Sequence, residues 1–139
     1  MIVVDSSAVI AMMFGEPAGA ALALRLAGDV ERVMSTASYL EGGIVLAGRR
    51  RADRLQAVDD LDAFLTEAGI SLEAVDANQA RVALLARIRY GRGMGHGGTL
   101  NFGDAFSYAL ATTRQAPLLF VGDDFTKTDV VPALPPGEA

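Results

Sequence analysis

Apolar residues along this chain occur in two patterns: short unbroken runs, and longer stretches spaced at three or four residues. The first run, Ile2-Val3-Val4, reads as a strand buried on both faces. Ser6 or Ser7 is placed to cap a short helix over Ala8 to Phe14. Gly15-Glu16-Pro17 interrupts it, and Pro17 opens a second helix through Leu26, which Gly28 ends. Arg32 to Ser35 is a second strand. Ser35 or Thr36 starts the next helix, where Leu40, Ile44 and Ala47 share a stripe and Glu41 sits one residue round from Leu40.

Asp53 to Ala68 reads as an amphipathic helix with Leu55, Val58, Leu61, Leu65 and Ala68 near one face. Ile70 to Val75 is a third strand, and Asp76 or Asn78 caps a helix ending at Tyr90, with Ala80, Ala83, Leu84 and Ile88 in line. Gly91 to Gly98 holds five glycines in eight residues and reads as a mobile loop. Asn101 caps one more helix, with Asp104 at its third position. Leu118 to Val121 is a core strand, and Val130-Val131 a brief edge strand. This strand–helix alternation predicts an α/β fold: three layers, α/β/α, around a mostly parallel sheet of four or five strands. Residues 1–134 form one domain, and Pro135, Pro136 and Gly137 make 135–139 a flexible tail.

Composition narrows the class. With 139 residues, 51% hydrophobic and 21% charged, the chain has the material for a packed core. The absence of cysteine excludes disulfides, thiolate chemistry and cysteine zinc sites. No apolar run approaches the roughly 18 residues of a transmembrane helix, and no signal-like segment is evident. A cytoplasmic protein without a targeting segment or membrane partner is expected. The net charge of −5 argues against passive nucleic-acid binding but leaves room for an enzyme that meets its substrate through metal ions.

Four carboxylate positions carry the candidate chemistry. Asp5 ends the first strand, Glu41 follows the second, Asp104 lies in a first helical turn, and Asp123 or Asp124 follows the Leu118 strand. Groups just past the carboxyl ends of parallel strands face the crevice where ligands bind, so distant acids can converge there. Acids crowded together repel, and hard divalent cations with oxygen ligands relieve that repulsion. Such a site suits phosphodiester hydrolysis by metal-activated water. Ser6 and Ser7 are placed to orient an acid, a water or a phosphate oxygen. No histidine stands as a base, and His96 lies alone in the glycine loop. Arg49, Arg50, Arg51 and Arg54 form the dense basic cluster, and Arg87, Arg89 and Arg92 flank the glycine loop; both groups are candidates to position substrate phosphates. Of the aromatic residues, Phe102 and Tyr108 are expected to pack rather than stack on bases.

At these residues the sequence resembles a PIN domain of the VapC toxin family, the ribonuclease half of bacterial toxin–antitoxin pairs. The matching stretches are Ile2-Val3-Val4-Asp5-Ser6-Ser7-Ala8, Glu41 in its helix, Leu100-Asn101-Phe102-Gly103-Asp104, and Leu119 to Phe125 with Thr128-Asp129 beyond. The resemblance implies Mg²⁺, or Mn²⁺, held chiefly by Asp5 and Asp104, with Glu41 and the last acid completing the quartet. In the family pattern that acid precedes the phenylalanine, which matches Asp124; Asp123 is the second choice, and Asn101 has a supporting place. It also implies endonucleolytic cleavage of RNA, a homodimer and a cognate VapB-like antitoxin. His96-Gly97-Gly98-Thr99 departs from the family's more common His-Pro-Ala in this loop. Competing readings are a DNA-directed nuclease, a non-catalytic regulatory or protein-binding domain with an acidic pocket, and a phosphate-transfer receiver. The receiver is disfavoured because the chain's one lysine, Lys127, is not where that chemistry needs it.

Overall fold

The computed structural model describes residues 1–135, so the predicted tail lies, apart from Pro135, outside the described residues. The elements run β1 (Ile2–Val4), α1 (Ser6–Met13), α2 (Gly19–Ala27), β2 (Arg32–Ser35), α3 (Thr36–Arg49), α4 (Arg54–Glu67), β3 (Ile70–Glu73), α5 (Ala77–Tyr90), α6 (Phe102–Arg114) and β4 (Leu118–Leu119). All strand pairs are parallel, in the order β3-β2-β1-β4. This is the predicted three-layer architecture with four strands.

The period of two along each strand divides the core. Ile2, Val4, Met34 and Leu119 pack with side chains of α1 to α4 on one face. Val3, Val33 and Leu118 pack with α5 and α6 on the other. All three β1 side chains are fully buried, and each contributes roughly 1.5–3 kcal/mol by leaving water. β1 is therefore the fixed centre from which flanking groups are positioned.

Several helix faces differ from the pattern's expectation. Leu40 and Ile44 are more than 60% exposed, and Ser38, Gly42 and Leu46 are the buried residues of α3. On α4, Leu55 and Val58 face solvent while Ala57, Leu61 and Leu65 turn inward. On α5, Leu84 and Ile88 are exposed, and Gln79, Ala83 and Ala86 are buried. Small residues let a helix backbone approach its neighbours closely, and this close packing outweighs the burial of a larger side chain elsewhere on the helix. α1 is capped by Asp5 rather than by Ser6 or Ser7. β3 stops at Glu73, and the predicted Val130-Val131 strand is reduced to a single bridge between Leu118 and Pro132. Proline lacks the amide that would extend that ladder. No helix of the described residues is long and apolar enough to cross a membrane.

Candidate metal centre

The chain runs from β1 outward to β2 and β3, then returns to place β4 on the other side of β1. This reversal opens a crevice past the carboxyl ends of β1 and β4. Asp5, Ser6, Ser7, Glu41, Asn101, Asp104 and Asp124 line a pocket of about 240 Å³ there. Of the two adjacent candidates, Asp124 lines this pocket, whereas Asp123 is exposed and lines the neighbouring cleft.

Each acid is held by local structure. Asp5 leaves β1 in an extended conformation and caps α1, its Oδ2 accepting from the Ser7 amide at 3.0 Å and the Ser7 hydroxyl at 2.6 Å. The Ser7 hydroxyl in turn accepts from the Val121 amide at 3.0 Å, tying the end of β4 to the same corner. Asp104 belongs to a reciprocal capping box: its amide donates to Asn101 Oδ1 at 2.8 Å, and its Oδ2 accepts from the Asn101 amide at 2.9 Å. Glu41 Oε1 accepts from the Ser6 hydroxyl at 2.8 Å. A Cβ on Gly103 would overlap the Glu41 carboxylate, so glycine there leaves room for Glu41 over the start of α6. Asp124 follows Gly122, whose φ of +98° makes the turn, and its carbonyl accepts from the Thr99 hydroxyl at 2.9 Å.

The electrostatics follow from burial and crowding. Asp104 is 5% exposed. Its burial, reinforced by the charges of Asp5, Asp124 and Glu41, pushes its pKa up to about 7 against the bond from the Asn101 amide. Burial also raises Glu41, the Ser6 bond opposing it and the Asp5 and Asp124 charges adding to it. Among the described residues no lysine, arginine or histidine forms an ion pair with Asp5, Glu41 or Asp104. Arg92 lies 3.9 Å from Asp124.

Asp5, Glu41 and Asp104, three oxygen donors without a basic partner, together with Asp124, whose one basic neighbour is Arg92 at 3.9 Å, fit a hard divalent cation. Among the described residues no three of them are already drawn in around one point.

The predicted basic residues are dispersed. Arg49 stacks on Phe14, 4.8 Å from the ring centroid, and lies 3.9 Å from Glu16, while Arg50 pairs with Asp60. Arg51 is exposed, and Arg87 donates to the Leu100 carbonyl at 2.6 Å. Of the seven candidates, Arg92 is the one paired with an acid of the pocket. Phe102, expected to pack, is 73% exposed beside Asn101, touching Phe106 edge-on. Tyr108 does pack, and its hydroxyl donates to Asp129 at 2.5 Å in a separate pocket.

Sequence reasoning missed Ser107 and Ser38. Ser107 Oγ donates to Asp5 Oδ1 at 2.5 Å and lies 2.9 Å from Ser38 Oγ. A signal was present: Ser107 follows Asp104 by three residues and Ser38 precedes Glu41 by three, so each hydroxyl shares a helix face with an acid.

A family model described as PIN domain matches residues 2–131. The chain is 46% identical over 131 residues to ribonuclease VapC42 of Mycobacterium tuberculosis, covering 94% of this chain and 98% of that protein. It is 47% identical over 132 residues to ribonuclease VapC28 of the same species, covering 95% and 97%. A ribonuclease VapC of Mycolicibacterium smegmatis is 47% identical over 128 residues, covering 92% and 96%.

Proposed function

The chain belongs to the PIN-domain family, among its VapC ribonucleases, and from that membership we infer that it is an endoribonuclease acting as the toxin of a toxin–antitoxin pair. The observation that carries the reading is the convergence of Asp5, Glu41, Asp104 and Asp124, from four separate segments, on one pocket. In this reading Asp5 and Asp104 chiefly hold Mg²⁺, with Mn²⁺ as an alternative, and Glu41 and Asp124 complete the set. A divalent cation bound there supplies Lewis acidity, neutralising phosphate charge and lowering the pKa of water.

The chain's own residues do the rest. The Asn101–Asp104 box and the two serines on α1 fix the acids before substrate arrives, so little reorganisation accompanies the reaction. Arg92, on the rim beside Asp124, is placed to hold a flanking phosphate, and the exposed Phe102 ring offers a stacking face for a base. A VapB-like antitoxin and a second copy of the chain are the proposed protein partners. The exposed Leu40 and Ile44 on α3, and Leu55 and Val58 on α4, supply apolar surface for them.

The test uses antitoxin-free protein with RNA and DNA oligonucleotides of one sequence, in Mg²⁺, in Mn²⁺ and in chelator. RNA cleavage that chelator abolishes is expected. Preferential cleavage of DNA would assign the chain to DNA-directed nucleases. Metal binding without turnover of either would make it a non-catalytic acidic-pocket domain.

Gly103→Ala probes the same geometry from the backbone side. Alanine is the better helix former, and its Cβ meets only the end of the flexible Glu41 side chain, so melting is expected to hold. The displaced Glu41 carboxylate is expected to slow cleavage by about 10–100-fold, because small misplacements in a reacting geometry are amplified. Unchanged cleavage would show that Glu41 needs no fixed position.

A further inference from the structure

The Asp5 carboxylate is clamped from two sides, and only one side is local. Ser7, two residues on, supplies both donors to Oδ2. Oδ1 receives its hydrogen bond from Ser107, 102 residues away on α6. Ser107 and Ser38 are both fully buried, and their hydroxyls meet at 2.9 Å between α6 and α3. An ionised carboxylate only accepts, so Ser107 must donate to Asp5. The proton between the two serines then belongs to Ser38, which donates to Ser107. This gives a one-way chain, Ser38 to Ser107 to Asp5, with each bond polarising the next.

We propose that Ser107, ordered by Ser38, is a positioning residue for the divalent cation: it fixes the rotation of the Asp5 carboxylate and hence the direction of its remaining lone pairs. The proposal rests on reading the acid pocket as a cation site. Ser107 lies one helical turn past Asp104, so a single helix carries one proposed ligand and the group that orients another. α6 thereby sets the relation of Asp5 to Asp104. Without Ser107, Oδ1 loses its one protein donor, and the Ser7 bonds to Oδ2 alone restrain the tilt of the carboxylate. Partners of this kind, which bind the ligand rather than the metal, typically affect metal affinity by 10–100-fold when removed.

The experiment measures Mn²⁺ affinity by titrating free Mn²⁺, melting temperature without metal, and cleavage rate against metal concentration. It compares the wild-type chain with Ser107→Ala, Ser38→Ala and the double variant. The double variant removes both hydroxyls at once, leaves neither unpaired, and so guards against a folding defect. Ser107→Ala and the double variant are expected to raise the Mn²⁺ dissociation constant by about 10–100-fold. The metal concentration for half-maximal cleavage should rise in parallel. Ser38→Ala keeps the Ser107–Asp5 bond and is expected to shift the constant by less than about threefold, in keeping with a modest neutral hydrogen bond. Wild-type Mn²⁺ affinity in a folded double variant overturns the proposal alone, and a lowered melting temperature beside it assigns the serines to structure only. Failure of the wild-type chain to bind Mn²⁺ overturns the cation reading itself, and this proposal with it.

Discussion

Asp5→Asn is expected to lower RNA cleavage by at least about 10³-fold while leaving the chain folded, since loss of a principal cation ligand removes several kcal/mol of charge stabilisation. Asparagine is as good a helix cap as aspartate. Its oxygen can still accept from the Ser7 amide, as Asp5 Oδ2 does at 3.0 Å. Its nitrogen then faces Ser107, whose hydroxyl can rotate to accept from it and donate a hydrogen bond to Ser38. The local bonds are therefore re-satisfied while the negative charge is gone. Circular dichroism and melting establish that the variant folds, and gel-resolved cleavage of RNA measures the loss. A folded Asp5→Asn variant with wild-type cleavage would remove Asp5 from the site and overturn the mechanism.

The metal-free protein is expected to lose stability as pH rises from about 4 to about 7. Asp104 has its pKa raised to about 7, against an ordinary 3.8. Within that window the folded chain binds more protons than the unfolded one, so the slope of unfolding free energy with pH is negative. The contribution is present in full below the unfolded value and is lost as pH passes the folded one. Glu41, also raised by burial, acts in the same direction. Asp29 is lowered, chiefly by its bond to Arg25, and its contribution is lost only below the ordinary carboxylate range, outside this window. After allowance for solvent screening, Asp104 accounts for on the order of 1–2 kcal/mol. Asp104→Asn keeps the capping oxygen and removes the charge. It should melt about 3–8 °C above the parent at pH 8 without metal, and lose cleavage as Asp5→Asn does. Saturating Mg²⁺ or Mn²⁺ should restore the parent's stability at that pH. A parent melting temperature that does not fall between pH 5 and pH 8 would contradict this account of the acid cluster.

What the sequence made legible was whatever local chemistry determines. The Ile2–Val4 run, the Asn101–Asp104 cap and the Gly28 helix end each depend on neighbours within a few residues, and the structure has all three. Helix faces were less legible because the inward sides of α3, α4 and α5 include Ser38, Gly42, Ala57, Ala83 and Ala86. Residues chosen for small size leave a weak hydrophobic signature, and the larger Leu40 and Ile44 draw a pattern-based reading to the wrong side. The choice between Asp123 and Asp124 depends on the backbone turn after Gly122, which residue type alone does not specify. The Ser107–Asp5 bond spans 102 residues and exists only through the packing of α6 beside β1. Neither periodicity nor composition encodes that distance.

The four pocket carboxylates are spread from position 5 to position 124, and the last of them follows β4. A nascent polypeptide emerging from the ribosome carries Asp5, Glu41 and Asp104 well before the strand that brings Asp124 alongside them. A half-made molecule therefore has only part of the pocket, and its last wall arrives when synthesis has passed that strand and the sheet has closed.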